Sequence, residues 1–379
     1  MDKPYHGIVV VDLTTTIAGP YCTRLLADLG ADVIKIESPD GDMMRTRPPM
    51  PGGYSRPFGQ LNAGKRSVVL DLKQPDDAQA LRDLVTRADL LVENFRPGVM
   101  TRLGLDYPRL AELNPQLIYC AISGYGQSGP SAGAPAYAPV VHAASGHDLA
   151  HLAYQDGRES PDWCSAFTAD VMSGLYAFAA IGPALRLREL TGHGQQIDVS
   201  MFEAMLSLCL TEVQLAQSGD EPVRMFGPTR TADGYVMAAV ASEKSFVALC
   251  QAAGRPELAK DPRFEQYSER RRHWKEFVAE IETWSTRLGT AECMEALDRH
   301  GVPASPYRTV AEALQDPQLT HRNALATVSD PAGDYRIVNA PFRISGADVS
   351  AGTRAPALGE HTREVFEGLG LQPPRSDGR

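Results

Sequence analysis

The chain has 379 residues, enough for one full core and a second domain, since single cores stop growing near about 250–300 residues. Hydrophobic residues at 43% and charged ones at 22% are the proportions of an ordinary soluble globular protein. A net charge of −10 argues against nucleic acid as the main partner, and an anionic ligand would need local basic residues rather than a global field.

In chain order, the N-terminal run "GIVVVDL" is too short for a signal peptide and reads as a strand. Gly19-Pro20 opens the helix "YCTRLLADLGA", and "DVIKIE" is the next strand. "SVVLDL" precedes the helix "PDDAQALRDLVTRA", with Pro75 in its first turn and Asp76 and Asp77 suiting its dipole. "DLLVEN" and "LIYCAIS" are further short, unbroken apolar runs. Such strands, separated by helices, predict an α/β fold whose parallel sheet is covered on both faces. In that arrangement ligands bind beyond the carboxyl ends of the strands. Those ends carry "TTTIAGP", "ESPDGD", "DLKQP", "ENFRPG" and "SGYGQSGP", with neither a dinucleotide fingerprint nor a P-loop among them.

Further on, "SGHDLAHLAY" reads as a polar surface turn, with His142 just upstream of His147, Asp148 and His151. No further carboxylate or cysteine falls there at metal-ligand spacing. The run from Val171 to Leu185 is shorter than the roughly 20 residues of a spanning helix. It contains Gly174, Gly182 and Pro183 and reads as a buried helix kinked at the proline, so no membrane partner is expected. "TGHGQQIDVS" is a turn and strand, and "MFEAMLSLCLTEVQLAQSG" a helical run. A second module starts near Pro222, with a strand in "ADGYVMAAVA" and helices in "SEKSFVALCQAAG", "RRRHWKEFVAEIETWSTRLG" and "TAECMEALDRHG". "YRIVNAPFRIS" returns to strand character, "GEHTREVFEGLG" closes as a helix, and the tail from Leu371 is expected to be disordered.

The six cysteines (Cys22, Cys120, Cys164, Cys209, Cys250 and Cys293) are scattered, without CxxC or Cys/His clusters, as reduced thiols of a cytoplasmic enzyme without a metal site would be. Ser123 in "SGYGQSG" lacks the spacing of a hydrolase elbow. Lys65, Arg66, Lys73, Arg96 and Arg102 lie near predicted strand ends, where together they could hold a polyphosphate. Asp170 is the one charge at the mouth of the apolar run. With Thr168 as a possible N-cap it could be a first-turn acid. That is the reading local sequence favours; without a basic partner it could also be a carboxylate of raised proton affinity, poised for catalysis.

Taken together, "GIVVVDLTTTIAGPYCTRLLADLGADVIKIESPDGD", "NAGKRSVVLDLK", "LVENFRPGVMTRLGLDY", "NPQLIYCAISGYGQSGP", "TADVMSGLYA" and "TGHGQQIDVSMFEA" resemble the family III CoA-transferases, in consistent order from about residue 6 to residue 365. That family includes the 2-methylacyl-CoA racemases. The resemblance implies a large Rossmann-like CoA-binding domain (1–220 and 331–379), a smaller inserted α+β domain (221–330) and an interlocked homodimer. It implies acyl-CoA and a small carboxylic acid as substrates, with no prosthetic group. It makes Asp170 the nucleophile, Tyr137 a second catalytic residue, and Leu70, Lys73, Asn94, Phe95, Val99, Arg102 and Leu103 the CoA pocket.

Racemases of the family place a catalytic His-Asp pair where this chain has Tyr137 and Ala138. The "GHD" at Gly146–Asp148 falls after the second "SG" and out of that register, which favours a transferase over the racemase alternative. A non-catalytic CoA-binding protein is the remaining alternative, disfavoured by the retained aspartate, tyrosine and basic residues. Ile17, Ser38, Pro135 and Ala138 stand where the formyl-CoA:oxalate branch carries Gln, Arg, Lys and Glu, and "RMFGPTRTADGY" lacks its glycine-rich flap. Those departures argue against oxalate as the acceptor.

Overall fold

The computed structural model describes residues 3–163, 166–222 and 225–374. Cys164 and the last five residues of the expected disordered tail lie outside the described residues. The chain divides into two compact units: Met1–His151 with Glu159–Leu210 and Gln318–Arg379, and Leu152–Arg158 with Thr211–Pro317.

The first unit is built on β1 (Val9–Asp12), α1 (Ala18–Asp28), β2 (Asp32–Glu37), α2 (Arg56–Asn62), β3 (Arg66–Val69), α3 (Pro75–Val85), β4 (Leu90–Glu93), α4 (Val99–Leu103), α5 (Tyr107–Leu113) and β5 (Ile118–Ser123). It continues through α6 (Ala138–Ala144), α7 (His147–Ala153), α8 (Thr168–Thr191), β6 (Gln196–Ser200) and α9 (Met201–Leu206). The six strands pair in parallel in the order β3-β2-β1-β4-β5-β6. Strands β4 and β5 are buried at every position, which is why their sequences do not alternate. Successive side chains feed opposite faces. Val10, Ile118 and Cys120 join α1, α6, α8 and α9 in one core, while Val11, Tyr119 and Ala121 join α3 and the closing helix Thr362–Gly368 in the other.

Helix α8 departs from expectation in two ways. Thr168 lies inside it, and Phe167 stands at the N-cap without any side-chain cap. The helix also continues unbroken through Pro183 to Gly192, whose left-handed φ of 77° ends it. Gly174 lets it cross α1 closely, because a Cβ there would stand 2.4 Å from the Ala18 carbonyl oxygen. The helix is buried along only one stripe. Ala169, Ser173, Ala177, Ile181 and Ala184 face the core, but Tyr176, Leu187 and Leu190 are exposed.

Two other expectations are corrected. The stretch read as a surface turn is the helix α7. The run 201–218 is two helices, α9 and α10 (Leu210–Ser218), separated where Ser207 Oγ donates back to the Ala204 carbonyl.

The second unit carries an antiparallel sheet of β7 (Thr229–Arg230), β8 (Tyr235–Ala238) and β9 (Ala304–Pro306), with α11 (Glu243–Ala252), α12 (Tyr267–Arg272), α13 (Trp274–Ser285) and α14 (Thr290–Arg299). Helices α12 and α13 divide what the sequence reads as one helix. Phe246, Phe264 and Phe277 centre its core. The first unit resumes with the hairpin β10 (Leu325–Asp330) and β11 (Gly333–Val338), of which only the second strand is legible in the sequence. Among the described residues no helix is long and apolar enough to cross a membrane.

Candidate active site

The order β3-β2-β1-β4-β5-β6 reverses direction between β1 and β4, and a crevice opens there beyond the strand ends. The loops leaving those two strands are clamped to each other. Thr15 N–H donates to Asn94 Oδ1 at 2.9 Å, and Asn94 Nδ2 donates to the Thr15 carbonyl at 2.8 Å. The β1 loop turns at Thr16, which holds a left-handed φ of 70°, and its N–H donates to Asp42.

Beneath this loop lies a fully buried ionic network. Lys35 Nζ reaches Asp42 at 2.9 Å and the Thr14 carbonyl at 2.8 Å. Lys65 Nζ reaches Asp12 at 3.0 Å, Thr23 Oγ1 at 2.7 Å and Asn62 Oδ1 at 2.9 Å. Burial opposes the ionisation of Asp12, but Lys65, Lys35 and the Thr14 and Thr23 hydroxyls outweigh it and hold Asp12 at about 2. Burial in turn pulls Lys65 down to about 8. Lys65 therefore belongs to the scaffold and not to a phosphate site. Arg66 is likewise engaged, by Asp32 and Glu364.

Two cavities occupy the crevice. One, of about 400 Å³, is lined by Asp170, Tyr137, Asn94 and Phe95. The other, of about 420 Å³, is lined by Leu70, Lys73, Phe95, Val99, Arg102 and Leu103. All nine residues singled out in the sequence thus line this pair of cavities, which share Thr15, Gly41 and Phe95 in their walls. Exposed Lys73 and Arg102 at the second cavity, and Arg96 at the first, have no ion pair among the described residues.

Asp170 is the third residue of α8. Burial alone raises its carboxyl to about 6, and among the described residues its side chain has neither ion pair nor hydrogen bond. Tyr137, at the N-cap of α6, is 60% exposed. Ser123 closes β5 with a buried hydroxyl that has no hydrogen-bond partner among the described residues and lies in the wall of the Asp170 cavity. No local motif marks this placement, since the spacing around Ser123 speaks only against a hydrolase elbow. The pair His147 and Asp148 is real, with Nδ1 and Oδ1 3.2 Å apart, but neither residue lines the Asp170 cavity.

A doubly wound sheet with an unpartnered carboxylate at its switch point, next to a cavity rimmed by free cations, suits group transfer on a large anionic ligand. The comparisons give that class its family. The model of CoA-transferase family III matches residues 5–362. The chain is 38% identical to acetyl-CoA:oxalate CoA-transferase of Acetobacter aceti, covering 91% of this chain and 90% of that one. It is 35% identical to succinyl-CoA:mesaconate CoA-transferase of Haloarcula marismortui, covering 96% and 95%. The solved structure of a CAIB/BAIF family protein from Brucella suis superposes with a TM-score of 0.84 at 34% identity, covering 97% of this chain and all of that one. The protein belongs to CoA-transferase family III and is an enzyme of that family, for which coenzyme A and its acyl thioesters are the implied substrates.

Proposed function

We propose that this enzyme moves CoA from an acyl-CoA donor to a small carboxylic acid through covalent intermediates on Asp170. The observation that carries this reading is an unpaired, desolvated carboxylate in a cavity that shares walls with one rimmed by Lys73 and Arg102. In the first step an Asp170 carboxylate oxygen attacks the thioester carbonyl. The C–S bond breaks, leaving an acyl-aspartyl anhydride and CoA thiolate. The thiolate attacks the aspartyl carbonyl, releasing the donor acid and forming an aspartyl-CoA thioester. The acceptor carboxylate then attacks that thioester, giving a new anhydride and thiolate. Finally the thiolate takes the acceptor acyl group and Asp170 is restored. Leaving groups are anions throughout, so the cycle balances without a general base.

Each attack develops a tetrahedral oxyanion. The unpartnered Ser123 hydroxyl, the Tyr137 hydroxyl and nearby backbone N–H groups are the donors we assign to it. Leu70, Asn94, Phe95, Val99 and Leu103 hold the adenosine end of CoA, and Lys73 and Arg102 hold its phosphates. The large CoA-binding domain takes in both chain ends, the unit centred on Thr211–Pro317 is the small domain, and two copies interlock as a cytoplasmic homodimer. The exposed Leu187, Leu190 and Leu210 support that assembly, because each is apolar and open in the single chain. Relatives are named for oxalate, mesaconate and malate as acceptors, so oxalate belongs among the acids to be assayed despite the four departures noted in the sequence.

The test is chemical trapping. Incubation with acetyl-CoA or succinyl-CoA followed by hydroxylamine is expected to convert Asp170 to a hydroxamate in the peptide "SAFTADVMSG". Asp170→Asn is expected to show no adduct and no transfer while remaining folded. Transfer retained in that variant, with no adduct in the parent, would return Asp170 to the role of a first-turn acid.

A further inference from the structure

His142 has no part in the reaction as written, yet it is 5% exposed and directly touches the element that carries the nucleophile. It sits in α6, the helix that begins just after Tyr137. Its Nε2 accepts the backbone N–H of Ala169 at 3.0 Å. Ala169 is the second residue of α8 and immediately precedes Asp170.

The first N–H groups of a helix have no partner within it, and an N-cap side chain usually takes one of them. Phe167 has no such group to give. In an ordinary helix the acid of the first turn is attracted to those N–H groups by hydrogen bonding and by the helix dipole. An Asp170 carboxylate engaged in that way would be a weaker nucleophile and would be drawn from the cavity. The imidazole takes the Ala169 N–H instead, and the Asp170 side chain is left without a hydrogen bond among the described residues.

Only a neutral imidazole with its proton on Nδ1 can accept at Nε2. Burial keeps His142 below the usual histidine range, against the pull of Asp148 and with the push of His147. The His147 ring lies 5.6 Å from that of His142, centroid to centroid, and its own Nδ1 faces Asp148. The "GHD" segment that the racemase register leaves idle thus backs the imidazole.

We propose that His142 is a positioning residue, an imidazole cap delivered from α6 that fixes the first turn of α8 relative to Tyr137 and leaves the Asp170 carboxylate free to attack. The inference rests on Asp170 being the nucleophile. No proton or electron moves in this role.

The experiment compares His142→Gln with His142→Asn in the full-length enzyme. Both are neutral amides, but only Gln is long enough to place an acceptor oxygen about where Nε2 lies. Adduct formation at Asp170 is followed by hydroxylamine trapping with acetyl-CoA, CoA affinity by calorimetry, and folding by thermal denaturation. The Gln variant is expected to keep most of the parent rate. The Asn variant is expected to form the adduct about 100-fold more slowly with CoA affinity unchanged, as for a misplaced reacting group. Equal rates in the two variants, or losses that merely follow their melting temperatures, would overturn the role of His142 while leaving the nucleophile in place. A parent enzyme that forms no adduct would overturn the nucleophile, and the role of His142 with it.

Discussion

At the scale of single residues, the chemistry turns on how environment divides carboxylates that look alike in sequence. Asp12 is fully buried but sits among Lys65, Lys35 and two hydroxyls, so it is held ionised at about 2. Asp170 has no side-chain partner among the described residues, and burial alone lifts it to about 6. As the proposed nucleophile it must be ionised, so kcat/KM of the parent enzyme is expected to rise with pH through about 6 and level off above it, and the rate of adduct formation at Asp170 to follow the same limb. The same shift bears on stability with a definite sign. The folded-state value lies above the unfolded one, so the group's contribution is fully present below the ordinary carboxylate range and is lost as pH rises through about 6. At pH near 8, Asp170→Asn is therefore expected to stabilise the fold by about 1 kcal/mol, after allowing for screening by water in the cavity. Urea midpoints would check this. A first-turn acid favoured by the helix dipole predicts a loss instead.

At the scale of elements, strand ends and the loops leaving them assign opposite tasks to lysines of similar sequence setting. Lys65, at the entry to β3, ties β1 to α1 and α2 from a position with no solvent contact. Lys73, beyond the exit of β3, is exposed at the rim of the second cavity. Lys65→Met leaves Asp12 with its principal cation gone, and a loss of about 3–5 kcal/mol in chemical denaturation is expected. Lys73→Ala is expected to leave the denaturation midpoint unchanged and to raise KM for acyl-CoA about tenfold, the scale of one hydrogen bond to a charged group. A Lys65 variant of parental stability would show that the network contributes nothing net.

At the scale of the whole molecule, the single chain leaves apolar surface that a monomer would have to expose. Leu190 is 67% exposed near the end of α8, and Leu210 is 76% exposed at the start of α10, within a run the sequence reads as one continuous helix. The homodimer proposed for this family member would cover such positions. Light scattering at low micromolar concentration is expected to give twice the chain mass, and Leu187→Glu with Leu190→Glu to shift the population toward monomer. A parent enzyme that is monomeric at that concentration would remove the interlocked assembly.

Several things were determined by the sequence by itself. Unbroken apolar runs such as "LIYCAIS" fixed the parallel, two-faced sheet, because strands buried on both sides cannot alternate. The ordered motifs carried the family, and all nine residues that the resemblance singled out line the two cavities beyond the strand ends. What the tertiary structure decided were questions of partnership. Local pattern cannot tell a lysine that meets Asp12 across the fold from one that meets solvent, so Lys65 and Lys73 read alike until the chain is folded. Nor can it show that the N–H a first-turn acid would claim is already taken by His142, 27 residues away. Burial, pairing and proton affinity depend on contacts between distant segments, and the sequence specifies those contacts only through the fold.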